Sequence, residues 1–248
     1  MLVTGYVDLG SIEFRARTNE HYLDLGRRLL SLPIKKVAFL PSNMLETLDV
    51  DSTNNTYVNF ESSDLENFND IGRSEITYPS PNSLKDTKYY LAVQNQKTDF
   101  VRRAIQLFPD EKFFVWIDFG IFHLSKDDVT FAKAILNMYE KVKAGVGIKG
   151  TIRLPGCRDP RVLHGYGKTM RDIIFSNGPI WMFCGGLFAG DREALIKFDE
   201  SSKLYNKYCL SLNRVTFEIN IWLLIYLENP ELFNWYYGDH NLSMIENF

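Results

Sequence analysis

Apolar residues in this chain gather into two kinds of run, and their order predicts the architecture. Phe113, Phe114, Val115, Trp116 and Ile117 follow one another without polar alternation, which predicts a strand buried on both faces, as in parallel sheets. Leu2 to Leu9, Lys36 to Leu40, Thr56 to Phe60, Ile148 to Arg153 and Ile180 to Leu187 read as further strands. Between them the spacing becomes helical. Tyr22, Leu25, Leu29 and Leu32 mark a helix over Asn19 to Leu32, closed by Pro33. Phe100, Val101, Ala104 and Ile105 mark another over Thr98 to Leu107, and Phe131, Ile135, Met138 and Val142 a third over Asp127 to Val142. A helix opens at Asp191, with acidic residues in its first turn, and Phe217 to Leu227 is helical and strongly apolar. Residues Glu61 to Pro81 are polar, acidic and proline-punctuated, so they predict the least regular stretch. Strands alternating with helices predict an α/β fold, a central mostly parallel sheet flanked by helices. A chain of 248 residues suits a single domain over 1–248.

Composition narrows the function more than the fold. The net charge of −3, with no dense basic block, argues against a nucleic-acid binder, because neutralising phosphates needs a basic face. No apolar run reaches the roughly eighteen residues of a membrane span, and no basic-then-apolar leader opens the chain, so an integral membrane segment is not expected. Cys157, Cys184 and Cys209 are odd in number and show no C-x-x-C pair, which reads as reduced thiols in a cytoplasmic protein. That position is compatible with a peripheral place at a membrane or with an infected host cell. Aromatic residues at 14% suit stacking on rings or sugar faces as well as core filling.

The candidate chemistry begins at Asp118, which the buried run delivers into a glycine turn. A strand-ending Asp either caps that turn or holds a metal. Asp118-Phe119-Gly120 lacks the upstream glycine-rich loop and catalytic loop of a protein kinase, and neither a G-x-G-x-x-G fingerprint nor a Walker lysine motif occurs. Four separated segments place glycine or an acid or imidazole at the end of an apolar run: Asp118 to His123, Gly185-Gly186, Glu218 to Asn220, and Asp239-His240. One sheet edge can gather all four, and carboxylate with imidazole suits Mn²⁺ or Mg²⁺ holding a diphosphate. His123 alone reads equally as a hydrogen-bonded structural histidine, and His21 and His164 as surface or loop residues. Glu218 and Asn220 inside an apolar helix are costly unless paired or facing a cavity.

The series VTGYVDL, NQK, FVWIDFGIFH, WMFCGGLFAG, TFEINIW and WYYGDHN resembles the bacterial HtrL/YibB/WlaTC family over about Val3 to Asn241. Those proteins are similar to GT-A-type nucleotide-sugar glycosyltransferases and are associated with lipooligosaccharide synthesis. The resemblance implies a GT-A-like nucleotide-diphospho-sugar transferase fold, a nucleotide-sugar donor, UDP-linked foremost, and a glycan, glycolipid or glycoprotein acceptor. It implies a Mn²⁺ or Mg²⁺ cofactor at Asp118, with Trp116 standing where the first acid of a D-x-D motif would be, and with His240 or Asp239 completing the shell. It assigns Thr4, Tyr6 and Asp8 to the nucleotide base and ribose, and Asn95 and Lys97 to the diphosphate or sugar. Gly185 and Gly186 would floor the junction of donor and acceptor. Glu218 would be the base of an inverting reaction or the carboxylate facing the sugar in a retaining one, with Asp191 as a second candidate base. Glu218 reads alternatively as a helix-face acid paired with an arginine such as Arg214.

The absent D-x-D partner keeps a rival reading in view: a degenerate transferase fold used as a non-catalytic carbohydrate- or protein-binding module. A nucleotidyltransferase would want two clustered acids and a phosphate loop, and neither is evident. The sequence is silent on oligomeric state.

Overall fold

The computed structural model describes residues 1–10, 12, 18–49, 53–159, 161 and 169–248, so His164 lies outside the described residues. Seven strands form one sheet: β1 (Leu2–Gly5), β2 (Lys36–Leu40), β3 (Asn55–Asn59), β4 (Phe113–Ile117), β5 (Ile152–Gly156), β6 (Leu187–Asp191) and β7 (Phe233–Tyr237). Their order is β3-β2-β1-β4-β6-β5-β7, and β6 alone runs against the others. The helices are α1 (Asn19–Leu30), α2 (Ser42–Thr47), α3 (Phe68–Gly72), α4 (Lys88–Asn95), α5 (Lys97–Leu107), α6 (Asp128–Lys143), α7 (Met170–Ile174), α8 (Arg192–Ser211), α9 (Glu218–Glu228) and α10 (Ser243–Glu246).

The unbroken apolar run of β4 divides its side chains between two cores. Phe114 and Trp116 enter one together with Phe100 of α5, Phe198 of α8 and Trp222 of α9. Val115 and Ile117 enter the other with Leu25 and Leu29 of α1 and Phe131, Ile135 and Met138 of α6. The sheet is therefore covered on both faces, as the run predicts. The period-two alternation continues past the strand, so Asp118 projects on the Trp116 side, toward α5 and α9.

Several elements depart from the sequence reading. The strand expected over Ile180 to Leu187 begins only at Leu187. Before it the chain is an ordered loop: Ile180 N donates to Asn220 Oδ1, and Phe183 makes an isolated bridge to Gly156. The strand expected over Ile148 to Arg153 lies later, at β5, because the three glycines Gly145, Gly147 and Gly150 all adopt positive φ and turn the chain first. The stretch Glu61 to Pro81 holds a short 3-10 turn and α3, and α4 follows it.

Two strand ends set the position of the site. From β1 the sheet continues through β2 on one side and through β4 on the other, which makes the gap beyond the carboxyl ends of β1 and β4 a topological switch point. Open α/β sheets bind ligands at such a point.

Candidate active site

A cavity of about 520 Å³ opens at this switch point, within the size range of small-molecule sites. Gly5, Tyr6 and Val7 line it from the end of β1, and Asp118 to Ile121 from the end of β4. Gly185, Gly186, Lys97, Glu218 and His240 complete its polar floor, while Tyr22, Phe119 and Trp181 give it flat aromatic walls.

Lys97 sits at the centre of that floor. Its Nζ donates to Glu218 Oε1 at 3.0 Å and to Gly185 O at 2.9 Å, and lies 3.1 Å from Asp118 Oδ1. The Lys97 side chain is 4% exposed, that of Glu218 8%, and that of Asp118 31%. A lysine in the first turn of a helix faces the wrong end of its dipole, whereas Glu218, first residue of α9, sits at the favourable end. The two helices thus present opposite charges to one another at their starts. Burial alone would lower the Lys97 pKa, but Asp118 and Glu218 outweigh it and hold the value above that of an ordinary lysine. The group stays an ammonium.

Trp116 is part of the same arrangement. Two residues before Asp118 on one face, its Nε1 donates to Asp118 Oδ1 at 2.8 Å, and its ring stacks on Phe100 at 5.6 Å. Asp118 N donates to Gly186 O at 3.0 Å, so the double glycine pins the acid from below. A Cβ at Gly185 would lie 2.1 Å from Glu218 Oε1, so any side chain there displaces that carboxylate from its place against Lys97. The buried Asn220 is satisfied, accepting from Ile180 N at 2.8 Å and donating to Thr216 Oγ1 at 3.1 Å. Glu218 pairs with Lys97 rather than with Arg214, which donates to the carbonyls of Ile174 and Ser176.

The remaining predicted residues fall in different places. Tyr6 lines the cavity and donates to Asn19 Oδ1 at 2.7 Å. Thr4 is fully buried in β1 and does not line the cavity. Asp8 accepts from Gly10 N at 2.8 Å, Asn19 Nδ2 at 2.6 Å and Asn43 Nδ2 at 2.9 Å, which ties the loop after β1 to α1 and α2. Asn95 donates to Leu91 O and Thr216 O, which ties α4 to the approach of α9 outside the cavity. Asp191 is at the opposite edge of the sheet, paired with Phe113 at the start of β4. There it caps α8 through Ala194 N and accepts from Gly150 N, so it does not join Glu218. His123 lines the cavity with Nδ1 at 2.7 Å from Gly120 O, an acceptor that an N–H must answer.

The expected metal set is not assembled at Asp118. Both oxygens of that carboxylate already lie against donors, the Trp116 indole and the Lys97 ammonium, and a hard cation there would share the site with a fixed positive charge. The donor set as arranged does not fit Mn²⁺ or Mg²⁺ at Asp118. His240 and Asp239 instead gather with Cys157 and Cys184. The hydrogen bond with Cys184 draws the Cys157 pKa down to about 6 and pushes Cys184 up, while contact with Cys157, opposed by burial and helped by Asp239, raises His240.

The sequence reading missed Trp116 as a donor, the two cysteines, Trp181, and the segment Pro81 to Asp86 with Tyr90, which also borders the cavity. Trp181 is 46% exposed and meets the His240 ring edge-on at 4.7 Å. An exposed tryptophan beside a histidine is a signal that composition alone does not isolate.

No protein-family model matches the chain, and no curated protein matches it. Among solved structures it is similar to mouse xyloside xylosyltransferase 1 in its apo form, at a TM-score of 0.46 and 13% identity, over 95% of this chain and 84% of that one. It is also similar to a glycosyltransferase involved in the glycosylation of the major capsid of PBCV-1, at a TM-score of 0.46 and 11% identity, over 95% of this chain and 80% of that one. Among the described residues no helix is long and apolar enough to cross a membrane.

Proposed function

We propose that the protein is a GT-A-like glycosyltransferase that moves a sugar from a nucleoside-diphosphate donor, UDP-linked foremost, to a hydroxyl of a glycan, glycolipid or glycoprotein. The observation that carries this reading is the buried Lys97 ammonium, held between Asp118 and Glu218 at the floor of an open cavity at the switch point. A diphosphate entering the cavity competes with both carboxylates for Lys97, and its charge meets the ammonium as the bond from sugar to phosphate breaks. Glu218, relieved of Lys97, takes the proton of the acceptor hydroxyl as its oxygen bonds to the anomeric carbon, and the nucleoside diphosphate leaves with the bonding electrons. In a retaining reaction the same carboxylate faces the positive charge of the sugar, and the anomer of the product distinguishes the two. The half-buried Tyr22 ring on the cavity wall, tilted 41° to that of the buried Tyr6, offers an aromatic face for the base.

The experiment is calorimetry with UDP on the wild type, Lys97→Met and Glu218→Gln, beside a donor-hydrolysis and transfer assay. Wild-type binding that is lost in Lys97→Met, with Glu218→Gln still binding UDP but not transferring sugar, is the expected result. Absence of nucleotide binding, or full transfer by Glu218→Gln, overturns the reading. Glycan binding without donor turnover gives the binding-module function instead. A Mn²⁺ or Mg²⁺ requirement for UDP binding that disappears in Asp118→Ala would put the cation at Asp118 and displace Lys97 from its role.

A further inference from the structure

Cys157 and Cys184 are 27 residues apart, and the sheet brings them together with Asp239 and His240. One donor atom from each of the four lies within 4.8 Å of the other three. Backbone pairing fixes this approach: Cys157 N donates to Met182 O and Cys184 N to Pro155 O, both at 2.9 Å, and Gly238 N donates to Gly156 O at 3.2 Å. Three segments, those after β5, before β6 and after β7, therefore converge independently of their side chains. We propose that Cys157, Cys184, His240 and Asp239 form a binding site for a borderline-soft divalent cation, zinc foremost, beside the floor of the cavity.

The donor chemistry selects that class of ion. Two thiolates and an imidazole suit zinc, whereas manganese and magnesium favour oxygen. Cys184 is buried and Cys157 half-buried, while the side chains of His240 and Asp239 are 40% and 68% exposed, so the ion has a protein-walled side and an open side. The distances require a small adjustment. The sulfurs lie 2.9 Å apart, and Cys184 Sγ is 3.9 Å from His240 Nδ1. Zinc–sulfur bonds of about 2.3 Å in a tetrahedron set the sulfurs about 3.8 Å apart, which the half-buried Cys157 side chain can supply by rotation. Binding needs both sulfurs as thiolates and His240 as the neutral imidazole, so whatever protons these groups still carry are released to solvent.

The ion would tie the loops that floor the cavity. Cys184 immediately precedes Gly185 and Gly186, whose carbonyls hold Lys97 Nζ and Asp118 N. Zinc at Cys184 and His240 thereby fixes the two acceptors that orient the charged centre. The proposal does not depend on sugar transfer, because the metal is measured without a donor.

The test is metal analysis of protein purified with reductant and without chelator, followed by exchange of the ion for Co²⁺. Retention of about one zinc per chain is expected, with a sulfur-to-cobalt charge-transfer band and tetrahedral visible bands in the cobalt form. Cys157→Ser and Cys184→Ser should each weaken zinc binding by roughly a hundredfold, and Asp118→Asn should leave it unchanged. If Cys184→Ser does not fold, the half-buried Cys157→Ser decides. Failure to retain zinc, a cobalt spectrum without the thiolate band, or equal loss of zinc in Asp118→Asn each overturns the proposal.

Discussion

Lys97→Met removes the ammonium at nearly constant side-chain length, and the structure sets what that costs. In the wild type Nζ lies 3.0 Å from Glu218 Oε1, 3.1 Å from Asp118 Oδ1 and 2.9 Å from Gly185 O. The variant leaves Glu218, 8% exposed, facing Asp118 with no cation between them. Removing one partner of a buried ion pair costs about 3–5 kcal/mol, because the remaining charge is stranded. Asp118 is about a third open to solvent and adds little beyond that. For a chain of this size a urea slope near 3 kcal/mol per molar turns the loss into a midpoint drop of about 1–1.7 M. The sign with pH is fixed as well. In the wild type the raised Lys97 pKa contributes stability that is complete below the unfolded lysine value and is lost only as the pH climbs through the folded one, so it is constant at neutrality. Adding Glu218→Gln to Lys97→Met should recover about 1–3 kcal/mol. A midpoint within about 0.3 M of wild type at neutral pH would refute the reasoning, since that is under about 1 kcal/mol.

Gly185→Ala places a Cβ 2.1 Å from Glu218 Oε1 and 3.3 Å from Lys97 Nζ, so it should abolish sugar transfer while costing about 1–3 kcal/mol in thermal or urea unfolding. Asp191→Ala should cost about 1–2 kcal/mol through the lost cap of α8 and leave the transfer rate at the wild-type level; a lost rate would return Asp191 to the reaction. Lys36 is buried, donates to Leu32 O and Ile34 O, and has its pKa lowered by burial to about 8. The unfolded chain then binds more protons between pH 8 and about 10.5, so wild-type stability should rise over that window relative to Lys36→Met; parallel melting curves would contradict the assignment.

The part of the site that local pattern can encode was legible. Five apolar residues without alternation meant two covered faces, and the face of Asp118 follows from counting two residues back to Trp116. At Trp116 the resemblance marked only the place of an absent acid, whereas the side chain that stands there is an indole donor to the acid that remains. The pairing of Glu218 with Lys97 joins residues 121 apart, and the thiols meet through β5 and the loop before β6, so no spacing rule reports either. Local periodicity fixes which way a side chain points, but partners across a sheet depend on strand order.

Strand direction explains the rest. Asp118 and Asp191 both end apolar strands, and in an all-parallel sheet both would reach the ligand edge. β6 runs antiparallel to β4, with Phe113 opposite Asp191 and Ile117 opposite Leu187, so its carboxyl end lies at the far edge and its amino end beside Asp118. The reversal that removes Asp191 is the one that brings Gly185 and Gly186 to Lys97 and Asp118. A glycine pair before a reversed strand therefore delivers two backbone carbonyls to the charged centre. The acid that ends the same strand is left to cap a helix, where its carboxylate accepts from Ala194 N, one of the free N–H groups of the first turn.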